Sequence, residues 1–106
     1  SGTTTGNTAI GYEALMGSTT AANNTGQNNT SVGYQSMLSN TSGTQNSAFG
    51  NLALNSNTTG SYNTAFGFVS LGQNTSGIDN TAFGTNSLQF KCMDGNKYWC
   101  CWFYFR

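Results

Sequence analysis

The chain has 106 residues, with three Lys or Arg, three Asp or Glu, no His and no Pro, and its formal net charge is zero. Because more than half of the chain is Asn, Thr, Ser or Gly, the composition favours a structural or binding protein. The chain is at most one domain, lacks the basic surface that nucleic acid or an anionic membrane requires, and has few side chains for acid–base catalysis. We therefore expect no enzymatic activity and no cofactor.

The charged residues divide the chain near residue 90. Residues 1–90 hold Glu13 and Asp79 and no cation, whereas residues 91–106 hold three cations, one carboxylate, all three cysteines and both tryptophans. This division predicts a repeat domain over residues 1–90 and an aromatic, cysteine-containing segment over residues 91–106.

The first segment is an internal repeat. Five copies align on a glycine, with spacings of 22, 17, 17 and 17 between successive members, namely Gly11, Gly33, Gly50, Gly67 and Gly84. An apolar residue directly precedes each of these glycines, and the last three of that column are Phe49, Phe66 and Phe83. Four positions after each glycine comes another apolar column, formed by Leu15, Met37, Leu54, Leu71 and Leu88. Apolar residues in fixed register argue against the disorder that low complexity alone would suggest.

The period predicts the fold. A 17-residue repeat suits one coil of a β-solenoid, and the abundance of Gly, Asn, Ser and Thr opposes helix. We predict an all-β, parallel β-solenoid, or β-roll, of about five 17-residue coils. Each coil is expected to hold two short strands, one ending at the Phe/Val/Ile column and one at the Leu/Met column, with glycine in the turns between them.

Asparagine recurs at two positions of the repeat. One column consists of Asn7, Asn29, Asn46, Asn63 and Asn80, and the other consists of Asn40, Asn57 and Asn74. Stacked coils lie about 4.8 Å apart, so we expect the side-chain amides of each column to hydrogen-bond up the stack as an asparagine ladder. Asparagines that fill turns are the alternative, and the two roles are compatible.

The repeat also constrains the interior and the association of chains. Adjacent residues of a strand face opposite ways, so one member of each pair Ala65–Phe66 and Ser70–Leu71 is expected to face outward. The apolar side chains that five coils can bury fall short of offsetting the conformational entropy of ordering them. We infer that other copies of the chain stabilise the solenoid, side by side or end to end.

The first repeat is five residues longer than the others, with the surplus around residues 18–23. An insertion in a solenoid forms a loop on one face, often the binding face. A tolerated surface loop without a partner is the alternative.

The C-terminal segment differs from the repeats in composition. Asp94-Gly95 is a hairpin signal that predicts pairing of residues 90–93 with residues 96–99, and the apolar and aromatic run over residues 98–105 is too short to span a membrane. We interpret the segment as a cap, a docking strand or a non-native tail. Its candidate assembly contacts are Trp99, Trp102, Phe103 and Phe105.

The three cysteines do not predict a metal site. Cys100 and Cys101 are adjacent, Cys92 precedes them, and no His or fourth ligand accompanies them. One disulfide with one free thiol, or an intermolecular bridge, is the simpler interpretation.

The consensus of the copies, Asn-Thr-Ala-Phe-Gly-x-x-Ala-Leu-x-x-Asn-Thr-Thr-Gly, resembles the head repeats of trimeric autotransporter adhesins. It is closer still to the related repeats in tail-fibre-like proteins of phages and bacteria. The resemblance covers about residues 6–90 in five copies, whereas residues 91–106 match nothing in it. It implies a left-handed parallel β-roll, a homotrimer of chains wound side by side, and a location on a cell or virion surface.

The expected function is that of a structural and adhesive segment of an extracellular surface fibre, tail fibre or self-assembling filament. Its partners would be further copies of the chain, as a homotrimer or an end-to-end filament, and a host-surface or carbohydrate ligand bound through many weak contacts. An alternative is a solenoid that binds ice or crystalline surfaces through threonine ranks at Thr41, Thr58 and Thr75. A polysaccharide-active enzyme would require clustered carboxylates, and the three present are scattered.

Overall fold

The computed structural model describes residues 5–89, together with the strand backbone of Met93–Asp94 and Lys97–Tyr98. Five strands form one sheet in chain order, each parallel to the next. They are β1 (Thr8–Ile10), β2 (Thr30–Val32), β3 (Ser47–Phe49), β4 (Thr64–Phe66) and β5 (Thr81–Phe83). Equivalent repeat positions lie opposite each other, as Phe49 opposite Phe66. The structure therefore confirms an all-β fold with a parallel β-solenoid.

The number of regular turns is smaller than the sequence predicts. About three 17-residue turns lie between Gly33 and Gly84, where about five coils were expected. The turn between β1 and β2, from Gly11 to Gly33, is longer and contains a short 3-10 helix, Ala21–Asn23. After β5, the described solenoid continues only to residue 89.

Each coil contains one three-residue strand, so the prediction of a second strand at the Leu/Met column is wrong. That part of the coil is a run of turns in which Leu54 and Leu71 both have φ of 51°. The left-handed conformation bends the backbone out of a strand, yet the coils remain hydrogen-bonded there. The Leu54 N–H donates to the carbonyl oxygen of Ser70, 3.0 Å away in the next coil.

The glycine after each strand is required by geometry. Gly50 has φ of 134°, and a Cβ atom at this position would lie 2.6 Å from the carbonyl oxygen of Gly67. A side chain would therefore be both strained and in collision with the next coil. The same arrangement holds at Gly33 and Gly67, which have φ of 131° and 128°.

The interior is thin and partly polar. Its apolar part consists of Met37, Ala48, Ala53, Leu54, Ala65, Leu71 and Ala82. Leu88, at the last position of the Leu/Met column, is half-buried against it. Ala65 is fully buried while Phe66 is 36% exposed, as strand alternation predicts.

Ser70 and Leu71, by contrast, are both buried, at 0% and 1% exposure, so the expected outward member of that pair is wrong. The alternation rule holds only for extended backbone, and Leu71 is left-handed. Side chains of consecutive residues can therefore enter the same interior.

The hairpin of the C-terminal segment pairs β6 (Met93–Asp94) with β7 (Lys97–Tyr98) in antiparallel fashion. Met93 lies opposite Tyr98 and Asp94 opposite Lys97. With Asp94-Gly95 as the turn, Met93 would lie opposite Asn96, so the register is shifted by two residues from the prediction. The sequence Gly95-Asn96 is itself a two-residue hairpin signal. The four candidate aromatic contacts and the three cysteines lie outside the described residues.

Candidate functional site

The first asparagine column forms a continuous ladder inside the solenoid. The backbone N and the side-chain Nδ2 of Asn46 donate to Oδ1 of Asn29 at 2.9 and 3.2 Å. Asn63 does the same onto Asn46 at 2.9 and 3.1 Å. Asn80 repeats the pattern onto Asn63 at 3.0 and 2.9 Å. All four asparagines are buried.

The same side chains also hold the turns that follow them in the chain. Nδ2 of Asn63 donates to the carbonyl oxygen of Gly77 at 2.8 Å, and Nδ2 of Asn46 donates to that of Gly60 at 2.8 Å. Amide-to-amide bonding and turn filling, the two roles considered for these residues, therefore occur together. Each buried amide satisfies several groups that would be costly to leave unpaired.

A second ladder runs through the other asparagine column. Asn57 Nδ2 donates to Asn40 Oδ1, and Asn74 Nδ2 donates to Asn57 Oδ1, each at 2.8 Å. Oδ1 of Asn74 is buried and has no hydrogen-bond partner within the described residues. In the 17-residue register, the next position after Asn74 is occupied by Lys91, so the sequence ends the asparagine column there.

The outward face of the sheet carries an apolar column, which we call the outer strip. It consists of Ile10, Val32, Phe49, Phe66 and Phe83. Ile10, Phe66 and Phe83 are 60%, 36% and 68% exposed, whereas Val32 and Phe49 are half-buried. The three phenylalanines stack, with centroids of Phe49 and Phe66 4.4 Å apart and those of Phe66 and Phe83 4.9 Å apart. The strip therefore presents a continuous apolar line along the solenoid.

An aromatic residue also follows the glycine that ends three of the five strands. Tyr12 and Tyr34 stack with centroids 5.4 Å apart, and Phe68 is 48% exposed further along.

Glu13 lies beside this column. Gln35 Nε2 donates to Glu13 Oε2 at 2.7 Å across the first two coils. A side-chain hydrogen bond with Glu13, and the charge of Glu13, raise the pKa of Tyr12 above its ordinary value. Sequence reasoning missed this column, although its period could have revealed it.

The predicted threonine ranks are hydrogen-bonded to the backbone. Thr41 Oγ1 donates to the carbonyl oxygen of Thr58, and Thr58 Oγ1 donates to that of Thr75, each at 3.1 Å. The hydroxyl protons of these two residues therefore serve the stacking of coils. Only their oxygen lone pairs remain for an external surface.

The longer first turn folds back on itself. Asn24 Oδ1 accepts a hydrogen bond from Ser18 N at 2.8 Å, and its Nδ2 donates to Ser18 O at 2.9 Å. The 3-10 helix Ala21–Asn23 between these residues has no buried residue. The insertion is thus a surface loop closed at its base by one asparagine side chain.

The described residues offer little catalytic or metal-binding chemistry. Glu13 follows β1 and Asp79 precedes β5, at opposite ends of the sheet, so the repeat does not bring the two carboxylates together. No group of three metal-ligating side chains occurs within the described part of the chain. Among the same residues, no helix has the length and apolar character needed to cross a membrane.

Comparison with protein-family models, with curated proteins and with solved structures gives no match to this chain. The features that bear on its function are therefore the ladders, the outer strip and the first turn.

Proposed function

We propose that the chain is a structural and adhesive β-solenoid segment of an extracellular fibre, in which copies associate through the outer strip. The assembly is a homotrimer of left-handed coils, as the resemblance to adhesin-head and tail-fibre repeats implies. The ladders give the segment its rigidity, and a fibre places it on a cell or virion surface.

The exposed outer strip is the observation that carries this proposal. Contiguous apolar patches on soluble monomers are small, and larger ones mark interaction sites. Here the strip follows the sheet through all five strands, from Ile10 to Phe83, and its three phenylalanine rings stack over the last three strands. A second copy of this chain fits it best, because an identical ladder has the same spacing of about 4.8 Å between coils.

Charge supports self-association as well. The described solenoid carries only Glu13 and Asp79, one near each end, and no cation. Copies placed side by side therefore meet little like-charge repulsion along their length. The interior is thin, because alanine occupies the inward position of the strands. Burial of the phenylalanines against a neighbouring chain would therefore add apolar stabilisation that the interior does not supply.

The test is the solution mass of the protein by light scattering or sedimentation across a dilution series, with and without reductant. We expect a trimer whose mass is independent of reductant. Phe66→Ser should shift it toward monomer, because the substitution removes the central ring of the strip. Tyr62→Ser is the matched control, since Tyr62 is 54% exposed in the same coil but lies outside the strip.

A wild-type monomer at every concentration would overturn the proposal. A mass that grows without limit would indicate an end-to-end filament instead of a trimer, and the proposed role in a fibre would still hold. Equal effects of Phe66→Ser and Tyr62→Ser would remove the outer strip as the contact surface.

The alternative function, binding of ice or crystalline surfaces by threonine ranks, is less favoured by the geometry. Thr41 and Thr58 donate their hydroxyl protons to neighbouring coils. A thermal-hysteresis measurement on the assembled protein separates the two functions, and we expect no activity.

A further inference from the structure

The first turn contains a cavity at the place where the second asparagine ladder would otherwise continue. Thr25 N donates to Thr41 O at 2.8 Å, as Thr41 N donates to Thr58 O at 2.9 Å one coil later. Asn24 therefore precedes this hydrogen-bonded position in the first coil, as Asn40 precedes it in the second. No ladder bond joins the two, because the side chain of Asn24 is bound to Ser18 at the base of the loop.

The interruption leaves unused hydrogen-bonding capacity in a buried place. Asn40 is 4% exposed, and its Nδ2 donates to a single acceptor, Gly43 O, at 3.1 Å. In the later coils, Nδ2 of Asn57 and of Asn74 donates both to a glycine carbonyl and to the preceding asparagine. A carboxamide has two N–H donors and an oxygen with two lone pairs. One N–H of Asn40 is thus without a partner within the described residues.

The cavity has a volume of about 220 Å³. It is lined by Asn7, Leu15, Asn24, Gly26, Asn40 and Thr41, and we call it the loop cavity. Asn7 Nδ2 donates to Gly26 O at 2.9 Å, and Asn7 Oδ1 accepts from Asn29 N at 2.8 Å. Asn24 likewise uses one side-chain N–H and one oxygen lone pair, both toward Ser18. Each of them retains one donor and one acceptor, so the loop cavity offers adjacent donor–acceptor pairs beside the apolar side chain of Leu15.

We propose that the loop cavity binds one neutral sugar ring. Each sugar hydroxyl both donates and accepts, which matches the amide pairs, and the C–H face of the ring can pack against Leu15. No ionisable side chain lines the cavity, so a charged ligand would find no counter-charge there. The volume is below the range of drug-sized pockets, so the ligand is a single ring or the terminal unit of a glycan.

This inference deepens the proposed adhesive function and rests on it, since it names the ligand class of the adhesive segment. Affinity per site is expected to be on the order of 1 mM, because a single ring makes few contacts. Repetition of the site in an assembly would then supply avidity.

The experiment is a titration of the ¹⁵N-labelled protein with glucose, galactose, mannose and N-acetylglucosamine, observed at the side-chain NH₂ resonances. We expect saturable shifts at Asn7, Asn24 and Asn40 with at least one of these sugars. Asn86 is the internal control, because it is exposed at the far end of the solenoid. Glucuronate serves as the charged comparison and should bind at least tenfold more weakly than the best neutral sugar.

Two kinds of variant test the location. Deletion of residues 18–22 restores the 17-residue spacing and should abolish the shifts, because it removes the loop and the Ser18 partner of Asn24. Leu15→Phe places a larger side chain in the cavity and should weaken binding at least tenfold, whereas Leu15→Met, which nearly preserves volume, should leave it within about twofold. The Leu15 pair decides the matter if the deletion does not fold.

Absence of saturable shifts with all four neutral sugars would overturn the proposal. Shifts that leave the three asparagines unaffected, that persist unchanged in folded variants of the cavity, or that occur only with glucuronate would also overturn it. The cavity lies within one chain, so the two proposals can fail separately. If the protein is a monomer and binds sugar, the proposed trimer is wrong but the sugar site is supported. If the protein is a trimer and binds none of the sugars, the proposed sugar site is wrong and the proposed assembly is unaffected.

Discussion

The regular coils between Gly33 and Gly84 and the longer first turn between Gly11 and Gly33 use the same residue types with different results. In the regular coils, asparagines of consecutive coils bond to each other and are buried. In the first turn, Asn24 bonds to Ser18 of its own loop and is only half-buried. Register, rather than composition, decides whether an asparagine stabilises the interior or closes a surface loop.

The largest expected effect comes from breaking a regular ladder with a charge. Asn63→Asp replaces the Nδ2 donor to Asn46 and Gly77 with a carboxylate oxygen in a fully buried position. An uncompensated buried charge costs about 3–5 kcal/mol. We expect urea unfolding at neutral pH to show a loss of this size, and Asn86→Asp, at an exposed position, to lose much less.

The same variant has a defined pH dependence. Burial raises the pKa of the introduced carboxyl in the folded state above its unfolded value of about 3.9. The folded state then binds the proton more tightly, so stability is greatest below the unfolded pKa and falls as pH rises through the folded pKa. Unfolding curves that are independent of pH would show that the carboxyl is not buried.

Truncation of the interior leucines compares the two regions directly. Leu71→Ala removes a side chain that is 1% exposed and should cost about 3 kcal/mol, within the range for buried leucine. Leu15→Ala, at the equivalent position of the first coil, should cost about half as much, because Leu15 is half-buried beside the loop cavity. Thermal denaturation of the two variants measures the difference, and equal losses would contradict it.

Glycine substitution separates strain from collision. Gly50→Ala meets both a φ of 134° and a carbonyl oxygen at 2.6 Å, whereas Gly84→Ala meets a φ of 117° with nothing within 4 Å. We expect a loss of about 2 kcal/mol or more at Gly50 and about 1 kcal/mol at Gly84. Chemical denaturation of the two variants measures both losses in the free energy of unfolding. Their difference gives the contribution of the close contact between coils at Gly50.

The smallest effect is expected in the first turn. Asn24→Ala removes two hydrogen bonds at the base of an otherwise exposed loop and should cost about 1 kcal/mol. Asn57→Ala is the comparison within the ladder and should cost more, since Asn57 is fully buried and bonds to Asn40, Gly60 and Asn74. A similar loss for both substitutions would show that ladder position carries no energetic weight.

The repeat period was enough to predict the parallel solenoid, because a fixed 17-residue spacing places Phe49 and Phe66 at the same point of successive coils. It was not enough to predict the path within a coil. Leu54, Leu71 and even the β-branched Val69 adopt positive φ, a conformation their local propensity opposes. Hydrogen bonds from the adjacent coil impose it, so the second strand and the outward member of Ser70–Leu71 could not be deduced correctly from propensity. The loop cavity likewise depends on one tertiary bond pair, between Asn24 and Ser18.

The direction of the ladder bonds has a consequence for the whole solenoid. Asn80 donates to Asn63, Asn63 to Asn46 and Asn46 to Asn29, so the side-chain dipoles are aligned along the axis. Aligned amide dipoles add, as peptide dipoles do in a helix. The solenoid is therefore polar along its axis, with unpaired acceptor oxygens at one end. The unpaired Oδ1 of Asn74 marks that end within the described residues. A copy stacked on that end would continue the ladders only with the same polarity, because two acceptor ends facing each other would repel.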